Sequence, residues 1–429
     1  MEFGRLGMEY GLKQTEGYQD LKANLHRYLI ECIEEDQVAP ADWSAEVLSS
    51  YAHGRISRYV SANRLAVNRE DIEYLVREMV AELTGYGPLQ ALLADDQVND
   101  ILVNGSRHIF IERAGRLEHT DLRFIDDSHV MRVIQRMLAP LGRRLDETNP
   151  MVDARLPDGS RINAVVPPLA LDGPCLSIRK FRRDPLRASD LLAYGTLDNA
   201  MLEFLCAAVS ARCNILVSGS TGAGKTTLLN VLSRYIGESE RLVTVEDAAE
   251  LQLGHHHVVR LETRPPNVEG EGEVSARDLV RNVLRMRPDR IILGEIRGVE
   301  VLDVLQAMNT GHDGSMSTIH ANSGRDALNR IGMLSGLAGF QGSEGTLKDM
   351  VGSALDLVVH VSRFSDGARR ILSIDEITCI RDGQYVLETL FAYDRLEQRF
   401  TRSDATPRSE KLRHAGEIAP RKPTGSSRI

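Results

Sequence analysis

Asn214-Ile215-Leu216-Val217-Ser218-Gly219-Ser220-Thr221-Gly222-Ala223-Gly224-Lys225-Thr226-Thr227-Leu228-Leu229 begins the stretch, 214–236, whose reading decides the fold of this chain. Ile215, Leu216 and Val217 form a short apolar run that reads as a buried strand. Leu228, Leu229, Leu232 and Ile236 recur at helical spacing, so a helix begins near Thr226. Between them, Gly219-Ser220-Thr221-Gly222-Ala223-Gly224-Lys225-Thr226 fits G-x-x-x-x-G-K-[ST], a phosphate-binding loop. Strand, glycine loop and helix is the arrangement that this chemistry needs. The glycines let backbone N–H groups converge on phosphate oxygens, and the helix N-terminus adds a favourable dipole. Residues Gly219 to Thr227 are therefore the expected nucleotide-binding segment. Lys225 is expected to reach the β- and γ-phosphates, and the Thr226 hydroxyl to bind Mg2+.

The rest of the composition is that of an ordinary globular protein. At 429 residues the chain is too long for one typical core, so two or three domains are expected. With 42% hydrophobic and 26% charged residues it reads as soluble. No run approaches the roughly 18–20 apolar residues that span a bilayer, and Met1-Glu2-Phe3-Gly4-Arg5 opens no apolar leader. The 5 cysteines lack any CxxC pair, which argues against a zinc site or a disulfide framework and for a reducing cytoplasm. A net charge of −9 excludes the whole molecule from electrostatic nucleic-acid binders. Local basic clusters at Arg143-Arg144, Arg179-Lys180 and Arg182-Arg183 sit inside patterned segments.

Taken in order, the chain divides into four expected parts. Residues 1–70 read as a helical extension, with Tyr18, Leu21, Leu25, Leu29, Ile30 and Ile33 as an apolar stripe and a second helix from Ala45 to Tyr59. Residues 76–185 read as a small α/β domain. It has strands at Val98–Val103, Ile109–Glu112, Ile162–Val166 and Leu176–Phe181, and a helix over Ser128–Leu138. Residues 190–400 alternate helices with short apolar strands at Leu242–Val245, Arg290–Leu293, Gly314–Ile319 and Leu357–Val361, the pattern of a parallel, helix-covered sheet. Val386–Tyr393 closes it. Residues 401–429 are Ser/Pro/Arg/Lys-rich and are expected to be a disordered basic tail.

Hydrolysis of a nucleotide needs an oriented water, metal neutralisation and positive charge facing the leaving phosphate. Val243-Thr244-Val245-Glu246-Asp247 is an apolar strand ending in carboxylates, where an α/β sheet opens its ligand crevice. Glu246 is the expected water-polarising residue, and Asp247 a helix cap. Arg290-Ile291-Ile292-Leu293-Gly294-Glu295 stands where a Walker B strand would end in Asp. Glu295, one methylene longer, is expected to hold Mg2+ through water. His320, after the strand in Ser317-Thr318-Ile319-His320, is the expected γ-phosphate sensor, with His312 a weaker candidate. His255-His256-His257 has no cysteine or acidic ligand set nearby and reads as a solvated turn. Arg281, Arg285 and Arg287 could supply the positive charge, and so could the small domain.

Together these motifs resemble the secretion ATPases of the type II/type IV superfamily, most closely the CpaF/TadA pilus-assembly branch, over about 75–400. Gly219–Thr226 matches the Walker A box, and Val245-Glu246-Asp247 with Glu250-Leu251 matches the Asp box. Ile291-Ile292-Leu293-Gly294-Glu295-Ile296-Arg297 matches the atypical Walker B box. Gly311-His312-Asp313-Gly314 with Ser317-Thr318-Ile319-His320-Ala321-Asn322 matches the His box. The branch is indicated by Gly142-Arg143-Arg144-Leu145-Asp146-Glu147, by 150–161 and by Ile178-Arg179-Lys180-Phe181, and by the lack of a four-cysteine zinc module.

The resemblance implies a RecA-like P-loop NTPase core that uses ATP and Mg2+ and assembles as a ring, usually a hexamer. It implies work at the cytoplasmic face of the inner membrane, through a polytopic membrane protein and without direct nucleic-acid contact. In such rings nucleotide lies between the N-terminal domain and the core, and by position Arg161 and Arg179 look like its phosphate-contacting arginines. Flp/Tad-type pilus assembly is the expected task. DNA or effector transfer by a type IV secretion ATPase is the alternative. A scaffold that binds ATP without turnover is disfavoured by the joint presence of Lys225, Glu246, Glu295 and His320.

Overall fold

A computed structural model of the chain describes residues 18–38, 43–113, 115–181, 185–264, 266, 271–381 and 384–415. They fall into two compact units divided between Arg182 and Arg183. Among the described residues no helix is long and apolar enough to cross a membrane.

The first unit begins with helices α1 (Tyr18–Glu35), α2 (Ala45–Ala62) and α3 (Arg69–Thr84). They share one core of Tyr18, Leu25, Leu29, Ala52, Ile56, Val60, Leu75, Val76 and Met79. The buried stripe of α1 runs through Tyr18, Lys22, Leu25, Leu29 and Cys32, whereas Ile30 is 38% exposed. The stripe therefore passes one position away from the expected Ile30 and Ile33. It accommodates a lysine because the Lys22 ammonium is paired with Glu82 of α3 at 2.8 Å. A capping box opens α3, with Asn68 accepting the Asp71 N–H at 2.8 Å. The helical core thus continues past residue 70 to the end of α3.

After α4 (Leu89–Ala94) come β1 (Val98–Asn104), β2 (His108–Arg113), β3 (Arg116–His119), α5 (Asp127–Leu138), β4 (Met151–Arg155), β5 (Arg161–Val165) and β6 (Cys175–Arg179). The strands form one antiparallel sheet in the order β3-β2-β1-β6-β5-β4. Alternate residues Ile101, Val103, Ile162, Ala164, Leu176 and Ile178 cluster with Val130, Val133, Ile134 and Met137 of α5. Asp126 caps α5 by accepting the His129 N–H at 2.6 Å. The His129 ring lies 2.6 Å from Glu82, which joins α3 to this layer.

The second unit contains α6 (Ala188–Ala193), α7 (Asn199–Ser210), β7 (Ile215–Ser218), α8 (Lys225–Ser233), β8 (Leu242–Glu246), β9 (Val258–Glu262), α9 (Ala276–Val283), β10 (Arg290–Leu293), α10 (Val301–Asn309), β11 (Met316–Ile319), α11 (Gly324–Leu337) and α12 (Glu344–Ala354). It ends with β12 (Leu357–Arg363), β13 (Arg369–Arg381), β14 (Gln384–Asp394), β15 (Arg399–Arg402) and α13 (Glu410–Ala415). The nine strands run in the order β15-β14-β13-β12-β7-β11-β10-β8-β9. From β12 to β9 the pairs are parallel, and from β12 to β15 they are antiparallel. The parallel part, with strand 7 between 12 and 11, is the RecA-like core. Strands β7, β8, β10 and β11 are buried throughout. Apolar clusters lie on both faces of the sheet, with Leu205, Leu229 and Leu232 in one and Val280, Leu305 and Ile331 in the other.

The expectation of a disordered tail from residue 401 is corrected for 401–415. Leu412 of α13 is 2% exposed in the core, and buried Glu376 accepts the backbone N–H groups of Arg408 and Ser409. Lys411 reaches Asp313 at 2.6 Å and Asp356 at 3.3 Å. One buried leucine and these polar contacts order a segment whose composition is that of a tail. Residues 416–429 lie outside the described residues.

Candidate functional site

The site is assembled at the C-terminal ends of four adjacent strands, β7, β8, β10 and β11. Strand β7 leads into the glycine loop and α8 follows, as the spacing predicts. Gly219 donates its N–H to the Ile319 carbonyl at 3.3 Å, which fastens the loop to the end of β11. A Cβ at 219 would run into the Val361 carbonyl, so that position admits no side chain. Gly222 and Gly224 adopt left-handed φ values of 71° and 99°, which glycine reaches at little cost. Ser220 and Thr221 are exposed, Ala223 is buried, and Thr226 and Thr227 are half-buried on the first turn of α8.

Lys225 is buried, and its ammonium donates to the carbonyls of Gly219 and Ser220, each at 3.0 Å. It lies 3.5 Å from His320 Nδ1. On the far side of the same ring, His320 Nε2 lies 3.3 Å from Glu295. Glu295 in turn meets Arg297 at 2.9 Å, and Arg297 meets Asp247 at 3.2 Å. A continuous line therefore runs Lys225–His320–Glu295–Arg297–Asp247. Burial lowers the Lys225 pKa below that of an ordinary lysine, against the attraction of Glu295. Burial and then the Lys225 charge lower that of His320. A neutral imidazole between an ammonium and a carboxylate is the state that these shifts favour.

Glu246 stands at the end of β8 but turns away from that line. Its Oε2 accepts the N–H groups of Glu250 and Leu251 at 2.7 and 2.8 Å. Oε1 is buried with no hydrogen-bond partner among the described residues. Burial pushes the carboxyl up to about 7, although both N–H bonds favour the anion. An unpartnered, half-protonated carboxylate oxygen at the C-terminal end of a parallel strand suits a group that meets a water or a proton there.

Other expected residues fall elsewhere. His312 bonds the Ala307 carbonyl at 3.2 Å, near the end of α10 and before β11 begins, whereas His320 follows the end of that strand. Arg281 is held by Asp303 of α10 at 2.8 Å. Asp247 caps no helix and faces Arg297 instead. The solvated-turn reading of 255–257 is corrected at His255, which is buried and bonds the Gly237 carbonyl at 3.0 Å. Arg161 and Arg179 belong to the first unit. There they are direct partners on β5 and β6, and they face Asp153 and Asp100 at 3.0 and 3.2 Å. Arg297, two residues after Glu295, joins this line through its ion pairs, although sequence reasoning left it without a role.

The residues present fit a Mg-nucleotide. A buried ammonium folded onto the loop's own carbonyls has no carboxylate within ion-pair distance among the described residues, and it can swing to phosphate. The Thr226 hydroxyl and the Glu295 carboxylate are the hard oxygen donors that Mg2+ prefers.

Residues 82–383 match the family described as type II/IV secretion system protein. The chain belongs to that family. It is 42% identical over 305 residues to a putative conjugal transfer protein of Mycobacterium tuberculosis, covering 70% of this chain and 86% of that protein. It is 32% identical to conjugal transfer protein TrbB of Rhizobium radiobacter, covering 69% of this chain and 88% of the relative. It is 36% identical to the type IV secretion system protein PtlH of Bordetella pertussis, covering 66% and 91%.

Proposed function

We propose that this family member is an ATP-hydrolysing ring motor that works with Mg2+. The observation that carries the reading is the line Lys225–His320–Glu295 beside the phosphate loop. In it, Lys225 draws charge from the β- and γ-phosphates, and His320 reads the γ-phosphate through its neutral ring. Glu295 and the Thr226 hydroxyl hold the metal, which when bound neutralises phosphate charge. Glu246 takes the role of water orientation, through the oxygen that the 250–251 turn leaves spare. Arg161 and Arg179 are proposed to contact phosphate from the first unit once the ring forms.

Turnover by the wild type, compared with Lys225→Ala and Glu295→Ala, tests the reading. Wild-type hydrolysis no faster than that of the variants would overturn it.

For the task, the names of the similar proteins favour transfer of DNA or effector protein by a type IV secretion apparatus. The motor would act as a homo-oligomer, a hexamer by the habit of the resemblance, on a polytopic inner-membrane partner at the cytoplasmic face. Flp/Tad-type pilus assembly is the second reading. It is supported by the CpaF-like residues 142–161 and by the α1–α2 pair that precedes the family match. Neighbouring genes for a small pilin would favour it, and genes for a conjugation channel would favour the first.

A further inference from the structure

Two guanidinium groups from outside the motif boxes reach the phosphate loop. Strand β12 is the parallel neighbour of β7 on the flank away from β11, so its C-terminal end lies beside the loop. Its last residue, Arg363, is the direct cross-strand partner of Arg369, the first residue of β13. Direct partners share a face of an antiparallel pair, so both side chains project together. Arg369 Nε donates to the Gly222 carbonyl at 2.8 Å, and its Cδ lies 3.4 Å from where a Gly224 Cβ would be. Arg363 Nη1 lies 3.5 Å from the corresponding point at Gly222. The next residue, Arg370, stacks over Phe364 and Tyr393 at 5.0 and 5.2 Å, which braces the hairpin from behind.

A guanidinium binds phosphate oxygens in pairs, and both of these stand beside a loop whose N–H groups gather phosphate. Which phosphate it is follows from the flank. Lys225 leans toward His320 and Glu295, the side that serves the β- and γ-phosphates. Arg363 and Arg369 stand on the opposite flank, against the second half of the loop, where α8 begins. We propose that Arg363 and Arg369 clamp the α-phosphate of the bound nucleotide, and that Arg369 also fixes the Gly222 carbonyl. The clamp rests on the nucleotide reading above and adds product retention to it. ATP and ADP both carry the group that it grips, so it strengthens both equally.

The test is Mg-ADP and Mg-ATP affinity, by calorimetry on the full chain, for the wild type, Arg363→Gln and Arg369→Gln. Arg363→Gln is expected to weaken both nucleotides by one common factor, about tenfold or more. Arg363→Lys recovers part of that loss, because the charge remains while the paired geometry does not. Thermal melting without nucleotide monitors folding, and Arg363→Gln carries the test if loss of the Gly222 contact destabilises Arg369→Gln. Unchanged affinities in both variants, or a loss confined to ATP, would overturn the clamp while leaving the nucleotide site standing. A wild-type protein that binds neither nucleotide overturns the site and the clamp together.

Discussion

Gly294 presses on Glu246: a Cβ at residue 294 would stand 3.0 Å from Glu246 Cγ and 3.6 Å from its Oε2. The glycine of the Gly294-Glu295 pair is thus the space into which the neighbouring carboxylate packs. Gly294→Ala should displace Glu246 from the N–H groups of Glu250 and Leu251. Overpacking of this kind costs about 1–3 kcal/mol. Urea melts would measure the loss, and turnover should fall with it. A variant as stable and active as the wild type would remove Glu246 from the site.

Glu246 also makes stability depend on pH. Its folded pKa of about 7 lies above the ordinary 4.5, so the folded protein binds this proton more tightly than the unfolded chain. The favourable contribution is complete below about pH 4.5, declines as pH rises toward 7, and is gone above that. At about 1.4 kcal/mol per unit the change is about 3 kcal/mol. Glu246→Gln carries no such proton, so the stability difference between wild type and variant should drift across that window by roughly this amount. Melts at pH 5, 6, 7 and 8 would show it.

His320 predicts a limit on the acid side of activity. Its ring is disfavoured as a cation by burial and by Lys225, so protonation occurs below the ordinary histidine range. If the neutral ring is the working form, the acid limb of kcat should lie below the ordinary histidine range rather than within it. His320→Gln should abolish that limb in the pH–rate profile as well as lower the rate. A limb that persists unchanged in the variant belongs to another group.

Far from the loop, Arg290 is wholly buried at the start of β10, where Glu240 takes it bidentately at 2.8 Å twice. The carbonyl of Val209 accepts from it at 2.8 Å. Removing one partner of such a pair leaves a buried charge uncompensated, at about 3–5 kcal/mol. Glu240→Ala should therefore cost far more in chemical denaturation than Glu240→Gln, which retains an acceptor. Equal small losses for the two would show that water reaches the guanidinium.

The parallel core was legible because its signals are local. Strands β7, β8, β10 and β11 are short apolar runs, and each ends at or just before a motif residue. Strands β9 and β13 escaped sequence reasoning for a physical reason. β9 alternates half-buried and exposed residues at the sheet edge, so it lacks an apolar run. β13 carries Arg369, Arg370, Asp375 and Glu376 among its apolar residues, and the last two can be buried because hydrogen-bond donors reach them. Arg297 escaped for a different reason. A charged residue at the end of a motif reads as solvated until Asp247 and Glu295 are seen on either side of it. The arginines at 363 and 369 had no sequence signal at all, since only the hairpin brings them to Gly222.

The docking of residues 408 and 409 on Glu376 uses backbone N–H groups rather than side chains. In evolutionary terms such a contact is nearly silent. Either position can drift through most residue types without losing that contact, while Glu376 cannot, and proline alone is barred from 408 and 409 because it has no N–H to give. Sequence divergence in this segment would therefore understate how firmly its path is held.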